Sequence, residues 1–296
     1  MRRWWPFVLL VIVGASRWAI SAARPDAEST LTSQTIGCAW ATLIALAFLP
    51  PERKTTGLQP KSSHAANLRW LIAGAMLFGG PSVSLLLPSR TLDSSALTIA
   101  LALTTVIIAI AAPAFGTESS AGIPGRMWPA LASVGGLLLV LTQPSLGDLR
   151  TDVALILAPT LTGIGAVLFC GGSPLSRSRV PIALLGGATL FAVALGCSWL
   201  VTHAYSPFSV LAVSSDGSLA LVGVLTLDQL GATRWSSQFT WVPLLIILEG
   251  IVLVRAHLTV PWSVGLILLF VAGVYLLLPQ VEETTSETSP IPTLPG

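Results

Sequence analysis

Charged residues are scarce in this chain of 296 residues, where Asp, Glu, Lys and Arg together make up 9% of the sequence. An ordinary soluble domain has about 25%. Apolar residues make up 53%, and this composition excludes a soluble globular protein. If ten stretches of about 20 residues lie in lipid, roughly a hundred residues remain for loops and tails, which leaves no room for a soluble catalytic domain.

The chain also lacks the motifs of an enzyme, a metal site or a nucleic-acid-binding protein. It contains no HExxH or DDxxD motif, no GxSxG elbow and no phosphate-binding loop. Cys38, Cys170 and Cys197 lie far apart inside apolar runs, so we expect buried hydrophobic side chains and not zinc ligands. The net charge of +2 comes from scattered residues that form no basic stripe. We therefore expect no catalysis, no metal or other cofactor, and no nucleic-acid partner.

Long apolar runs, in contrast, follow one another along the whole chain. They cover residues 4–22, 31–49, 68–87, 94–115, 127–141, 153–170, 180–201, 208–227, 235–254 and 262–278. These runs lack the alternating pattern of β-barrel strands, and backbone polar groups in lipid must be satisfied within each segment. The sequence therefore predicts an all-α integral membrane protein with ten transmembrane helices. Residues 280–296 carry three glutamates among Thr, Ser and Pro, and we expect a disordered cytoplasmic tail there.

The eighth run contains a sequence that is typical of a turn, Ser214-Ser215-Asp216-Gly217. Either the helix is broken at this sequence or it begins after it. Broken helices mark substrate sites in transporters, whereas a misplaced boundary is the simpler explanation. Both alternatives stay open at the level of sequence.

The distribution of Lys and Arg predicts the orientation, because short cytoplasmic loops retain basic residues. With the N-terminus inside, the cytoplasmic side holds ten of them, namely Arg2, Arg3, Arg53, Lys54, Lys61, Arg69, Arg126, Arg177, Arg179 and Arg234. The other side holds four, namely Arg24, Arg90, Arg150 and Arg255. We therefore expect both termini in the cytoplasm. Thirteen of the fifteen basic residues are Arg, which favours a GC-rich bacterial genome and hence a bacterial plasma membrane.

Two ionisable side chains, Arg17 and Glu249, lie inside apolar runs, where a charge is costly and usually functional. They lie about 18 Å and about 21 Å along the first and ninth runs, so an ion pair between them is geometrically feasible. The alternative is a purely structural pair that holds two helices together. Arg17 favours an anionic or zwitterionic solute, since its guanidinium binds carboxylates and phosphates. Glu249 raises the hypothesis of proton coupling.

Polar side chains recur at helical spacing in two of the runs. One face of the ninth run carries Arg234, Gln238, Trp241, Leu245 and Glu249, and one face of the fourth carries Ser94, Thr98, Leu101 and Thr105. Two such faces can line one central cavity, although Ser and Thr also help helices to pack closely. The predicted substrate-binding residues are Arg17, Trp18, Thr98, Thr105, Gln238, Trp241 and Glu249. Tryptophans at the ends of runs, including Trp70 and Trp235, are expected to lie at the membrane interface.

Several segments resemble the drug/metabolite transporter superfamily, in its EamA-type branch of ten helices. The segment from Leu230-Gly231-Ala232 to Pro243, followed by His257-Leu258-Thr259 and Gly265, resembles the second repeat of that family. Ser94-Ser95-Ala96 and Phe115-Gly116-Thr117-Glu118 resemble the matching pattern of the first repeat. The resemblance implies two inverted five-helix repeats, residues 1–145 and 146–279. It also implies a secondary transporter, an exporter, which moves a small metabolite or drug-like solute by alternating access.

Two other functions remain as alternatives. A non-transporting membrane scaffold or subunit would use its intramembrane charges only to hold helices together, and its interior would be sealed. An intramembrane enzyme that acts on lipid is disfavoured by the missing catalytic pairs. The expected partners are the lipid bilayer and a small solute, and Gly135, Gly136, Gly265 and Gly273 favour close helix packing or a homodimer contact.

Overall fold

The computed structural model describes residues 4–22, 27–48, 64–86, 94–117, 123–141, 149–171, 179–202, 209–254 and 259–278. All regular structure within these ranges is α-helical. The helices are α1 (Trp5–Ala22), α2 (Ala27–Phe48), α3 (His64–Leu86), α4 (Ser94–Ala114), α5 (Ile123–Val140), α6 (Leu149–Cys170), α7 (Arg179–Thr202), α8 (Val210–Leu230), α9 (Ala232–Ser236), α10 (Gln238–Val254) and α11 (Val260–Leu277). The predicted tail, residues 280–296, lies outside the described residues.

The helices have the length and composition of membrane spans. Within the described part of the chain, eight are long and apolar enough to cross a bilayer, and α1 adds a shorter apolar stretch, Trp5–Ser16. At 1.5 Å per residue, a helix of about 20 residues matches the hydrocarbon core of a bilayer, about 30 Å thick. The structure thus supports a multi-pass membrane protein of the all-α class. Each of the ten apolar runs lies on a helix, and the ninth is divided between α9 and α10.

The turn expected in the eighth run is wrong. Helix α8 runs without interruption from Val210 to Leu230, through the turn-like sequence. The Ser214 hydroxyl donates to the Val210 carbonyl one turn back, at 2.9 Å, so this polar group is satisfied within the helix. Helix α8 packs against α1 and α2, and this packing outweighs the local preference of the sequence for a turn.

Gly231 separates α8 from α9 with a φ of 80°, a conformation that glycine adopts without strain. A single turn residue, Ser237, lies between α9 and α10, but its backbone stays helical at φ −60° and ψ −17°. Residues Ala232–Val252 therefore form one apolar span. The hydroxyls of Ser236 and Ser237 donate to the carbonyls of Thr233 and Arg234, each at 2.7 Å, so these polar groups are satisfied within the span.

The helices pack in pairs that join the two halves of the chain. Helix α3 packs against α6 and α7, and α8 packs against α1 and α2. Helix α2 also packs against α7, and α5 packs against α11. The buried apolar side chains form two clusters, and each cluster contains residues from both predicted halves, 1–145 and 146–279.

Helices α2 and α8 approach each other most closely where two glycines meet. A Cβ atom built on Gly37 would lie 2.7 Å from the backbone nitrogen of Gly217 and 3.0 Å from the Val213 carbonyl oxygen. Since real Cβ atoms do not approach backbone atoms so closely, only glycine allows this spacing. The contact fixes the neighbouring residue Asp216 next to the first half of α2.

Candidate functional site

A cavity of about 160 Å³ lies inside the bundle. Among the described helices, all but α5 and α11 contribute to its lining. The lining residues come from both halves of the chain, from Leu10 on α1 to Phe239 on α10. Such a position, between helices of a bundle, is where small-molecule sites usually lie.

Four polar side chains line this cavity. They are Gln34 on α2, Thr162 on α6, Asp216 on α8 and Gln238 on α10. All four are buried, with Gln34 at 4% and Asp216 at 6% exposure. The Thr162 hydroxyl donates to the Ala158 carbonyl of its own helix, at 2.9 Å. The Gln34 side-chain oxygen has no hydrogen-bond partner among the described residues.

Aromatic side chains form much of the remaining wall. Phe78 on α3 and Phe191 on α7 pack with ring centroids 6.1 Å apart, and Trp235 and Phe239 pack edge to face at 5.4 Å. The indole nitrogen of Trp235 has no hydrogen-bond partner among the described residues. The cavity is thus an apolar and aromatic chamber with a few polar groups, which is the usual composition of a small-molecule site.

One residue from each of the two predicted polar faces, Leu101 and Gln238, lines the cavity, and their role in binding a solute stays a prediction. The two residues come from different halves of the chain. Thr98 and Thr105 do not line it; Thr98 is half-buried, and the buried Thr105 hydroxyl donates to the Ala102 carbonyl of its own helix, at 2.6 Å. Trp241 also lies outside the lining, with its ring edge to face against Phe270 on α11 at a centroid distance of 5.7 Å.

The structure describes the side chain of only one of the two predicted intramembrane charges. Glu249 on α10 is exposed at the surface of the bundle and does not line the cavity. Arg17 and Trp18 belong to α1, but their side chains lie outside the described residues. The pairing of Arg17 with Glu249 therefore stays a prediction.

The register of α1 against α8 gives the level at which Arg17 lies. A Cβ on Gly223 would contact Leu10, and a Cβ on Gly14 would contact Leu219, at 3.7 and 3.9 Å. The two helices therefore run antiparallel. Continuing this register for about one turn brings position 17 of α1 close to the level of Asp216.

Of the residues that line the cavity, the predicted polar faces contain only Leu101 and Gln238, and sequence reasoning missed the rest. Asp216 was assigned to a turn, although a carboxylate within an apolar run is a functional candidate by the same argument as Glu249. Trp235 was assigned to the membrane interface, yet it is 5% exposed and lines the cavity. Trp70 was also placed at the interface and is buried at 2% exposure. Gln34 stands in the polar first half of α2, where no periodic face singles it out.

A second polar cluster closes one end of the bundle, where α3 and α7 begin and α6 and α8 end. Arg179 on α7 forms an ion pair with Asp228 on α8, and its guanidinium carbon lies 5.3 Å from the centroid of the Phe169 ring. The Arg69 guanidinium donates to the Leu168 carbonyl at 3.1 Å. In the predicted orientation this is the cytoplasmic end, and these contacts join four helices there.

The described residues contain no group of three or more His, Cys, Asp or Glu that could hold a metal ion. No protein-family model matches the chain, and no curated protein matches it. Twenty-three chains of solved structures resemble it. One, described only as the crystal structure of a protein, has a TM-score of 0.65 at 15% identity and covers 93% of this chain and 96% of that chain. The chain therefore shares its fold with this solved structure over almost its whole length.

Proposed function

We propose that this protein is a secondary transporter, which moves a small solute across a bacterial plasma membrane by alternating access through the central cavity. In this proposal ten helices span the membrane as two inverted five-helix repeats, with both termini in the cytoplasm. The proposal extends to the EamA-type branch of the drug/metabolite transporters and to export as the direction. The observation that carries it is the cavity between the helices, which is lined by buried polar side chains from both halves of the chain.

The helix packing supports an internal repeat. We pair α1 to α5 with α6, α7, α8, the α9–α10 unit and α11, in that order. The contact of α3 with α6 then corresponds to that of α8 with α1, and the contact of α3 with α7 to that of α8 with α2. The α4–α6 contact corresponds to that of α10 with α1, while α2 with α7 and α5 with α11 correspond to themselves. This exchange of contacts is the one expected for two related halves around a two-fold axis.

The ninth span supports the same function through the groups that it brings to the cavity. Trp235 and Gln238, on either side of Ser237, both line the cavity and are buried. The indole nitrogen of Trp235 has no hydrogen-bond partner among the described residues, so it is able to donate to a solute. Polar groups at the wall of a cavity are typical of a small-molecule site.

A cavity-filling variant, Gly223→Leu, tests the proposal against the scaffold. Gly223 lines the cavity, and a Cβ there would meet only the Leu10 side chain, at 3.7 Å. We expect this variant to fold but to show no thermal shift when a solute is added, since the leucine side chain fills the space in which the solute would bind. The matched control is Gly196→Leu on α7, where a Cβ would meet nothing within 4 Å.

The measurement is a thermal shift of the purified full-length protein in detergent, over amino acids, nucleosides, sugars and amines. A ligand at about 100 times its Kd stabilises by about 2.7 kcal/mol, which is readily seen. Transport predicts that wild type and Gly196→Leu respond to one class of solute and that Gly223→Leu does not. The scaffold predicts no response in any protein, and an unchanged or higher Tm in Gly223→Leu because a void has been filled.

A further inference from the structure

We infer that the cavity binds the ammonium group of a small amine, which donates hydrogen bonds to the Gln34 side-chain oxygen and to the Asp216 carboxylate. This inference rests on the proposed function and adds the chemical class of the solute to it. It differs from the preference for anions that Arg17 alone suggests. It stands on the cavity, on two acceptors from different helices, and on the aromatic wall beside them.

Gln34 gives the first argument. Its side chain is 96% buried and lines the cavity, and its oxygen has no hydrogen-bond partner among the described residues. A buried acceptor without a partner costs about 1–3 kcal/mol, so such groups are normally satisfied. A solute with N–H groups would supply the donor.

Asp216 gives the second argument. It is the one acidic side chain among the described residues that line the cavity, and no Lys or Arg is found among them. A carboxylate has about four acceptor positions, so Asp216 can accept from a solute in addition to its contacts in the protein. The contact of Gly37 with Gly217 holds α2 and α8 together one residue from Asp216 and one helical turn from Gln34. Gln34 on α2 and Asp216 on α8 thus both reach the cavity close to the point where these two helices are in contact.

The cavity's size and walls limit the solute further. An apolar cavity of about 150 Å³ is known to hold benzene, and this one has about 160 Å³. The part of the solute that enters the cavity is therefore small, about the size of an ammonium group with a short alkyl chain. Trp235 and Phe239 stand in the wall, and the face of an aromatic ring attracts a cation electrostatically.

The ammonium group has two sources that the experiment must separate, a simple alkylamine and a zwitterion. The second is included because position 17 of α1, an arginine, lies close to the level of Asp216. The probes are n-butylamine, 1-butanol, propionate and β-alanine, which are similar in size and differ in charge. Binding is measured by concentration-dependent thermal shift on the full-length protein in detergent at neutral pH.

We expect n-butylamine to bind at least ten-fold more tightly than 1-butanol or propionate, since hydrogen bonds to a charged group contribute about 1.5–3 kcal/mol. Asp216→Asn should weaken amine binding about ten-fold or more, and Gln34→Leu by a smaller factor. The controls are Asp152→Asn and Gln229→Leu, which change the same side chains outside the cavity and should bind as wild type does. If β-alanine binds more tightly than propionate and its binding is weakened by Asp216→Asn, the result supports ammonium recognition and identifies the solute as a zwitterion.

Two results would overturn the inference: equal binding of 1-butanol or propionate, or an Asp216→Asn variant with wild-type amine affinity. The comparison of probes on wild type needs no variant, so it decides the question even if Asp216→Asn fails to fold. Uptake of the four probes into proteoliposomes shows whether the ammonium inference fails alone or together with the transporter proposal. If propionate or 1-butanol is taken up and Asp216→Asn does not reduce this uptake, the protein is a transporter that does not recognise an ammonium group. If no probe is bound or taken up, the ammonium inference fails, and the wider solute panel then decides whether the transporter proposal fails with it.

Discussion

Asp216 shows how contacts in space, more than neighbours in sequence, decide the structure around one residue. Its local sequence has the composition of a turn, with two serines before it and a glycine after it. In the bundle the glycine serves a different purpose, because it lets α8 approach Gly37 of α2. The serine hydroxyl at 214 bonds within the helix, and the carboxylate reaches the cavity. The glycine contact and the position of the carboxylate cannot be read from a single sequence, since both depend on which helix lies next to α8.

The same contact gives a stability prediction, Gly37→Ala. The added methyl group would press on backbone atoms of Gly217 and Val213, which cannot turn aside as a side chain can. We expect a loss of about 1–3 kcal/mol, the usual cost of overpacking, with weaker solute binding because α2 and α8 separate beside the cavity.

The measurement is the Tm in detergent, with Gly196→Ala as the control. That position has open space around it, so the control should be neutral or gain up to about 1 kcal/mol from helix propensity. A Gly37→Ala protein as stable as the control would show that α2 and α8 do not pack as closely as described.

Among the elements, the ninth span depends most on its surroundings. Its polar face was visible in the sequence, because Gln238 and Trp241 recur at helical spacing. The structure puts Gln238 in the cavity and Trp241 against α11, where a Cβ on Gly273 would contact the indole. The two residues lie three positions apart on α10, nearly one helical turn, so they meet different neighbours. Sequence periodicity therefore predicted the span but only part of its orientation.

A buried hydrogen bond joins this span to α5 and is open to a direct test. The hydroxyls of Ser133 and Thr240 lie 2.7 Å apart, and both residues are fully buried. We expect Thr240→Val to lower the free energy of unfolding by about 0.6 kcal/mol, and by no more than about 1.7, as is usual between helices in membranes.

A double-mutant cycle with Ser133→Ala measures the pair itself. The double variant should lose less than the sum of the two single variants, because neither hydroxyl is then left without its partner. Losses that simply add would mean that the two groups do not interact and that α5 is held by apolar packing alone, as at the Gly136–Gly265 contact with α11.

At the scale of the whole molecule, the sequence predicted the class and the order of helices. Each apolar run lies on a helix, because lipid leaves the backbone no other way to satisfy its polar groups. The cavity could not be predicted, because its lining combines nine helices whose lateral order in the bundle is set by packing. Gln34, Asp216 and Trp235 meet there from three helices, and no spacing along the chain relates them. Residues such as Glu249, which stand out by charge alone, lie at the surface of the bundle instead.

The central claim, that the cavity is a solute chamber open to water during a transport cycle, is tested most directly at Cys38. This residue lines the cavity at 2% exposure, and Cys170→Ser with Cys197→Ser leaves it as the sole thiol. In sealed proteoliposomes we expect a membrane-impermeant methanethiosulfonate reagent to modify Cys38 in this folded single-cysteine protein. Addition of Gly223→Leu to the same protein should slow the reaction. A Cys38 that reacts only after unfolding in detergent, at the same rate in both proteins, would contradict the transporter and leave a sealed scaffold.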